Sequence, residues 1–173
     1  MKKFSLFIMI TLLICSCCGK KPRITELSDD SKRWIPYQIG AKTYYSDGVN
    51  LDSIEVIHID KRLETIGHWC VGKVEEMDMN IIGNRIAKLR VALNYLSLHF
   101  NLEVDSVRKH FTLPLKEDTN PISEVPIHHS TFEINNISYH DVLVLTKDSL
   151  ELYYGKNEGI IAYKVGEKLF IKQ

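Results

Sequence analysis

Short runs of β-branched and aromatic residues, broken by turn-forming residues, dominate the pattern of apolar and polar positions along the chain. Such runs, with a two-residue period, are typical of β-strands. The first clear run spans residues 54–59 and follows Asp47-Gly48, a dipeptide that favours a turn. Residues 37–45 are therefore its predicted hairpin partner.

The C-terminal third carries the strongest strand pattern. Asn135-Asn136 lies between two apolar runs, and asparagine tolerates the left-handed backbone of a tight hairpin turn. In the following run both faces become apolar from Val142 to Leu145, which is typical of a strand buried on both sides. Three more short strands are predicted at residues 150–154, 160–165 and 168–171.

Residues 85–107 fit two different patterns. A helical stripe links Ile86, Leu89, Leu93, Leu96 and Phe100, whereas Leu96, Leu98, Phe100, Leu102 and Val104 alternate strictly. We interpret the segment as strand with a bulge near Tyr95, since its neighbours are strands. Two prolines and a polar cluster predict a long loop over residues 116–130.

Together these elements predict an all-β fold, an antiparallel meander that forms a sandwich or a partly closed barrel. Residues 34–173 are predicted to be a single domain, and a chain of that length buries about two-thirds of its unfolded surface. Residues 17–33 are polar, contain Pro22 and show no periodicity. They therefore predict a flexible tether in front of the domain.

Residues 1–16 have the order of an export signal, with Lys2-Lys3 before an apolar run. That run is shorter than the ~20 apolar residues needed to span a bilayer. Its end, Ile14-Cys15-Ser16-Cys17, is similar to a bacterial lipobox, in which a small residue precedes the lipidated cysteine. We therefore predict cleavage after Ser16 and a lipid anchor on Cys17. An ordinary secretory signal with incidental cysteines is the alternative.

The charge balance changes once the signal is removed. The signal contains two of the 22 basic residues and none of the 22 acidic ones, so the mature chain carries a small negative net charge. A nucleic-acid partner usually requires a clustered basic surface and is not expected. Lys20, Lys21 and Arg23 follow the lipid site and either contact anionic headgroups, at about 1 kcal/mol each, or simply begin the tether. Basic rather than acidic residues here favour the periplasmic side of a bacterial cell envelope over surface display.

Residues 131–145 and 152–164 resemble the closing hairpins of many small Bacteroidetes lipoproteins. In those proteins a turn and a tyrosine precede a buried valine strand, and a tyrosine-rich strand leads through glycine into an aliphatic final hairpin. Trp34-Ile35-Pro36-Tyr37, with Gly40, is similar to their first strand. The resemblance covers about a third of the chain and implies architecture and envelope location, not an activity.

Histidine and cysteine residues are the candidate metal ligands and catalytic groups of this sequence. His128-His129 is the densest histidine cluster, but neighbours on a strand point to opposite faces and no zinc-type spacing lies nearby. His68 and Cys70 would share one face of a strand, yet no nucleophile elbow or oxyanion element accompanies them. We predict no metal, no cofactor and no catalytic residue.

Adjacent tyrosines raise a ligand-binding hypothesis. Tyr44-Tyr45 and Tyr153-Tyr154 each place one ring on each face of a strand, so Tyr45 and Tyr154 are candidate solvent-facing rings for stacking on a glycan. Ordinary cross-strand packing is the alternative. The sequence thus predicts a non-enzymatic, membrane-anchored accessory that binds or supports an envelope protein partner. A module for glycans or small apolar ligands is the alternative, and a hydrolase has the least support.

Overall fold

The computed structural model describes residues 23–66, 72–104, 107–116 and 123–173. This part of the chain contains one short helix, α1 (Asp29–Lys32), and twelve strands. The strands are β1 (Arg23–Thr25), β2 (Lys42–Ser46), β3 (Leu51–Ile66), β4 (Gly72–Gly83), β5 (Lys88–Leu93), β6 (Ser97–Val104), β7 (Val107–Pro114), β8 (Ile127–Ile134), β9 (Ile137–Lys147), β10 (Leu150–Gly155), β11 (Gly159–Val165) and β12 (Lys168–Lys172). The predicted all-β class is confirmed.

The strands form one curled sheet, a half-barrel, in the order β7-β6-β5-β4-β3-β2-β12-β11-β10-β9-β8. Neighbours in this order are antiparallel, and β1 adds to β4 in parallel. We call β2–β7 the N-terminal arm and β8–β12 the C-terminal arm. The arms join where β12 pairs with β2, with Ile171 opposite Ser46 and Lys172 opposite Tyr45.

Apolar side chains from the inner faces of the two arms fill the space between them. Phe100 of β6 meets Tyr154 of β10 edge to face, with ring centroids 5.1 Å apart. Both side chains are fully buried, as are Leu98 and Leu152 on the same strands. Burial of one such side chain stabilises the fold by roughly 1.5–3 kcal/mol, so contact between the arms is what keeps the sheet curled.

The hairpins predicted from turn signals are present, but β2 begins at Lys42, and residues 37–41 of the predicted first strand are not strand. β2 and β3 pair around the turn that follows Asp47, whose carboxylate accepts the N–H groups of Val49 and Asn50 at 2.9 and 2.6 Å. Asn135 and Asn136 join β8 to β9 with φ of 50° and 62°, the left-handed conformation expected of them. Val142 to Leu145 are buried on both faces, as predicted.

The described part of residues 85–107 contains strands β5 and β6, as we interpreted it, but a turn stands where we expected a bulge near Tyr95. β5 ends at Leu93 and β6 starts at Ser97, and the Asn94 side chain accepts the N–H groups of Leu96 and Ser97 to form a turn. The turn shifts the alternation of apolar positions by one residue. No single alternating pattern therefore runs through both β5 and β6. The predicted loop over 116–130 is wrong at its end, because β8 already begins at Ile127. Residues 117–122 of that loop lie outside the described residues.

The segment before Trp34, expected to be part of a tether, is folded from Arg23 onward. β1 extends the sheet beside β4, Leu27 is buried, and Ser28 caps α1 by accepting the Ser31 N–H at 3.0 Å. The folded domain therefore includes residues 23–33. Sequence pattern missed this because three paired residues are too few to show a period.

Glu75 of β4 ties this segment to the sheet. Its buried carboxylate accepts the Leu27 N–H at 2.9 Å and lies 2.5 Å from the Lys61 Nζ and 3.4 Å from the Lys32 Nζ. Burial alone would raise the pKa of Glu75, but the contacts with Lys61, Leu27 and Lys32 together hold it below the usual glutamate range. The ionised carboxylate is thus the form that stabilises the fold.

We expect Glu75 to make stability depend on acid pH. Its pKa is lower in the folded than in the unfolded state, so its contribution is present above the unfolded pKa, near 4.5, and is lost as the pH falls from there through the lower folded pKa. Thermal unfolding at pH 7 and pH 4 should show a smaller loss of Tm in Glu75→Gln than in the wild type. Glu64→Gln, a half-exposed partner of Arg62, should keep the wild-type loss. Equal losses in all three proteins would contradict this role for Glu75.

Candidate binding surfaces

Tyr45 and Tyr154, the predicted solvent-facing rings, are both fully buried. The Tyr45 hydroxyl donates to the Ile160 carbonyl at 2.9 Å, and the Tyr154 hydroxyl donates to the Trp34 carbonyl at 2.5 Å. The expectation that they face solvent is wrong, because both occupy the inner face of their strands. Their neighbours, Tyr44 and Tyr153, take the outer positions.

Tyrosine hydroxyl groups hold residues 34–37 against the C-terminal arm through hydrogen bonds. The Ile160 N–H donates to the Tyr37 hydroxyl at 2.7 Å, beside the bond from Tyr45 to the Ile160 carbonyl. Burial is the main cause that raises the pKa of Tyr37 to about 12 and that also raises the pKa of Tyr45. Both phenols therefore stay protonated at neutral pH and serve as hydrogen-bonding groups in the core.

A buried acidic residue, Asp52 of β3, makes a second set of hydrogen bonds that includes one to the C-terminal arm. It accepts hydrogen bonds from the Tyr163 hydroxyl and, at 3.0 Å, from the Asn84 Nδ2. The Arg85 Nε lies 3.8 Å from the same carboxylate, and the Arg85 guanidinium stands 4.6 Å from the centre of the Phe170 ring. The cluster connects β3, the turn before β5 and the C-terminal arm.

The aromatic surface that does exist lies on the outside of the C-terminal arm. Phe132 stacks on Tyr153 with ring centroids 5.2 Å apart, and His129 lies 5.2 Å from Phe132 on its other side. Phe132 and Tyr153 pack against the buried cluster that contains Val142 and Ala162, and all three rings remain partly exposed. We call this set the outer aromatic patch.

The two adjacent histidines lie on β8, not in a loop, and point to opposite faces. His129 joins the outer aromatic patch, whereas the His128 Nε2 lies 3.2 Å from Asp141 Oδ1. Asp141 also lies near Lys156, whose Nζ is 2.8 Å from Asp30. Within the described residues, no group of three His, Cys, Asp or Glu side chains has metal-binding geometry.

A second outer surface, on β5–β7, is polar and regular. The strand register places Lys88, Glu103 and Arg108 in one row. The next row along the strands holds Arg90, Asn101 and His110. A groove of about 220 Å³ is lined by Lys88, Arg90, Asn101, Glu103 and Arg108, and we call it the outer groove.

Hydroxyl and imidazole groups continue from the outer groove along β6 and β7. His99 contacts the Ser97 Oγ at 2.7 Å and the Thr112 Oγ1 at 3.1 Å, and its ring stacks on His110 at 5.5 Å. Burial, then the charge of His110, lowers the pKa of His99, so its imidazole is neutral at pH 7. The network fixes the side chains beside the groove.

No protein-family model matches this chain, and neither does any curated protein or solved structure. The outer groove therefore has to be interpreted from its own residues. Sequence reasoning missed it because each strand supplies only one or two of the polar side chains that line it. The alternation of polar and apolar residues predicts that these side chains point outward. Only the register of β5, β6 and β7 shows that they lie next to one another.

The predicted lipidation site, Cys17, lies outside the described residues, as do Lys20, Lys21, His68 and Cys70. In the part of the chain that the structure describes, no helix is long and apolar enough to cross a membrane.

Proposed function

We propose that this protein is a lipid-anchored cell-envelope protein whose half-barrel serves as a binding module for an envelope partner or glycan. The observation that carries the proposal is the lipobox-like Ile14-Cys15-Ser16-Cys17 at the end of an export-type signal, shortly before the folded domain. The similarity of residues 131–145 to closing hairpins of Bacteroidetes lipoproteins supports the same location.

The short distance along the chain between anchor and fold supports a position close to the membrane. Arg23 opens β1 six residues after Cys17, and a fully extended chain of that length spans at most about 20 Å. Lys20, Lys21 and Arg23 would then lie near lipid headgroups, where each basic residue gains about 1 kcal/mol on an anionic surface.

Two outer surfaces support a role in binding. The outer aromatic patch offers partly exposed rings, which stack on sugars or pack against a protein partner. The outer groove offers cationic and amide donors. The space between the arms is filled by side chains such as Phe100, Tyr154 and Tyr163, which favours surface binding over an apolar ligand held inside.

The anchor is tested by changing Cys17 to alanine in cells fed labelled palmitate. We expect Cys17→Ala to lose the label, to move from the membrane to the soluble or unprocessed fraction, and to change in gel mobility. Loss is expected because a thioether to the lipid needs that thiol.

Cys15→Ala and Cys18→Ala are the matched controls, since they flank the proposed site within three residues. Both should keep label and membrane retention. If the label persists in Cys17→Ala, or disappears in Cys18→Ala instead, Cys17 is not the lipidated residue and the proposed location loses its main support.

A further inference from the structure

The outer groove has the composition of an anion-binding site on a sheet surface. We propose that it binds an acidic sugar through the sugar's carboxylate or phosphate group. This names the ligand chemistry of the binding module proposed above and rests on that role, but it is independent of the lipid anchor. Three of the five side chains that line the groove are cationic and one is acidic.

Arg90 is held in place by a buried carboxylate. Its Nε donates to both oxygens of Asp78 on β4 at 2.9 Å, and its Nη2 also contacts Asp78. These contacts occupy one edge of the planar guanidinium and leave Nη1 to bind a ligand. An arginine fixed in this way loses little side-chain entropy when it binds an oxyanion.

The other two cations complete the donor set. The Arg108 Nε donates to Glu103 Oε2 at 2.8 Å, which leaves both of its terminal nitrogens available. The Lys88 side chain makes no hydrogen bond or ion pair with any other described residue, although it lines the same groove. Register places Lys88 and Arg108 on either side of Glu103, so their charges flank the centre of the groove.

The neutral and acidic side chains favour a sugar over a bare anion. Asn101 Oδ1 is engaged by His110 Nδ1 at 2.5 Å, so the Asn101 amide group is free to donate. Glu103 accepts hydrogen bonds, and hydroxyl groups supply the donors that it needs. Its negative charge also weakens binding of a dense polyanion. One oxyanion with hydroxyl groups nearby is the chemistry that satisfies all five side chains.

The proposal is tested by calorimetric titration of the full-length protein in neutral detergent. The four ligands are tri-galacturonate, glucose 6-phosphate, neutral galactotriose and inorganic phosphate. We expect at least one of the two acidic sugars to bind at millimolar or lower concentration, more weakly as salt is added, and galactotriose not to bind. Arg108→Gln and Lys88→Gln should each weaken binding by about tenfold, because each removes a charged hydrogen-bond donor.

Arg62→Gln is the matched control, because Arg62 is also an ion-paired arginine on the outer face of the N-terminal arm. It should bind like the wild type, and all variants should share the wild-type Tm. The proposal is overturned if neither acidic sugar binds, if galactotriose or phosphate binds as tightly as they do, or if Arg62→Gln weakens binding as much as Arg108→Gln. None of these outcomes alters the palmitate result, so the two proposals fail separately.

Discussion

Replacing Gly159 by alanine is expected to destabilise the domain by about 3 kcal/mol and to lower its Tm by roughly 9 °C. Gly159 opens β11 at φ +71°, a conformation that costs about 1 kcal/mol for a residue with a side chain. In addition, a methyl group there would overlap the Tyr37 ring. Moving the ring breaks the bond between the Ile160 N–H and the Tyr37 hydroxyl.

Gly166→Ala separates the two causes. Gly166 also has a positive φ, +59°, but nothing lies within 4 Å of the position that its methyl group would take. This variant should lose only about 1 kcal/mol, measured by thermal and urea unfolding. Equal losses in the two variants would show that backbone strain alone sets the cost and that Tyr37 does not close tightly on β11.

Asp52→Ala is expected to cost a similar amount, about 3 kcal/mol. The change leaves the Tyr163 hydroxyl without its acceptor in the core, and it removes the carboxylate that the exposed side chains of Asn84 and Arg85 contact. A buried donor that loses its acceptor costs about 1–3 kcal/mol, and the lost contacts of Asn84 and Arg85 add to that cost. Urea unfolding monitored by tyrosine fluorescence would measure the loss.

Asp60→Ala provides the comparison on the same strand. Asp60 is half-exposed on the outer face of β3, and its side chain takes part in no hydrogen bond or ion pair with a described residue. Its replacement should change stability by less than about 0.5 kcal/mol. A loss as large as that of Asp52→Ala would mean that negative charge on β3, and not the buried cluster, stabilises the fold.

The strands and their turns could be predicted from sequence because their signals are local. Asn135-Asn136 favours the left-handed conformation by itself, and the doubly apolar run from Val142 to Leu145 needs burial on both faces wherever the strand lies. The same holds for the three short strands after residue 150, whose bounds agree with the prediction to within one residue.

The face of the sheet to which a side chain points could not be predicted where it depends on a partner far away in the sequence. Tyr44 and Tyr45 are equivalent in the local pattern, and Tyr45 faces inward because its hydroxyl meets the Ile160 carbonyl, 115 residues away. The outer groove depends in the same way on the register of three strands. At the N-terminus, Leu27 and Glu75 come together across 48 residues, which no periodicity between residues 17 and 33 could indicate.

The pairing of β12 with β2 affects the order of events during synthesis. Residues 168–172 supply the strand that connects the two arms, so a nascent chain holds two half-sheets with open edges until this segment emerges. Pairing over more than 120 residues of intervening chain is slow compared with hairpin closure. The full sheet therefore closes only after residues 168–172 have been synthesised, and until then the open strand edges of the two half-sheets can pair with other chains.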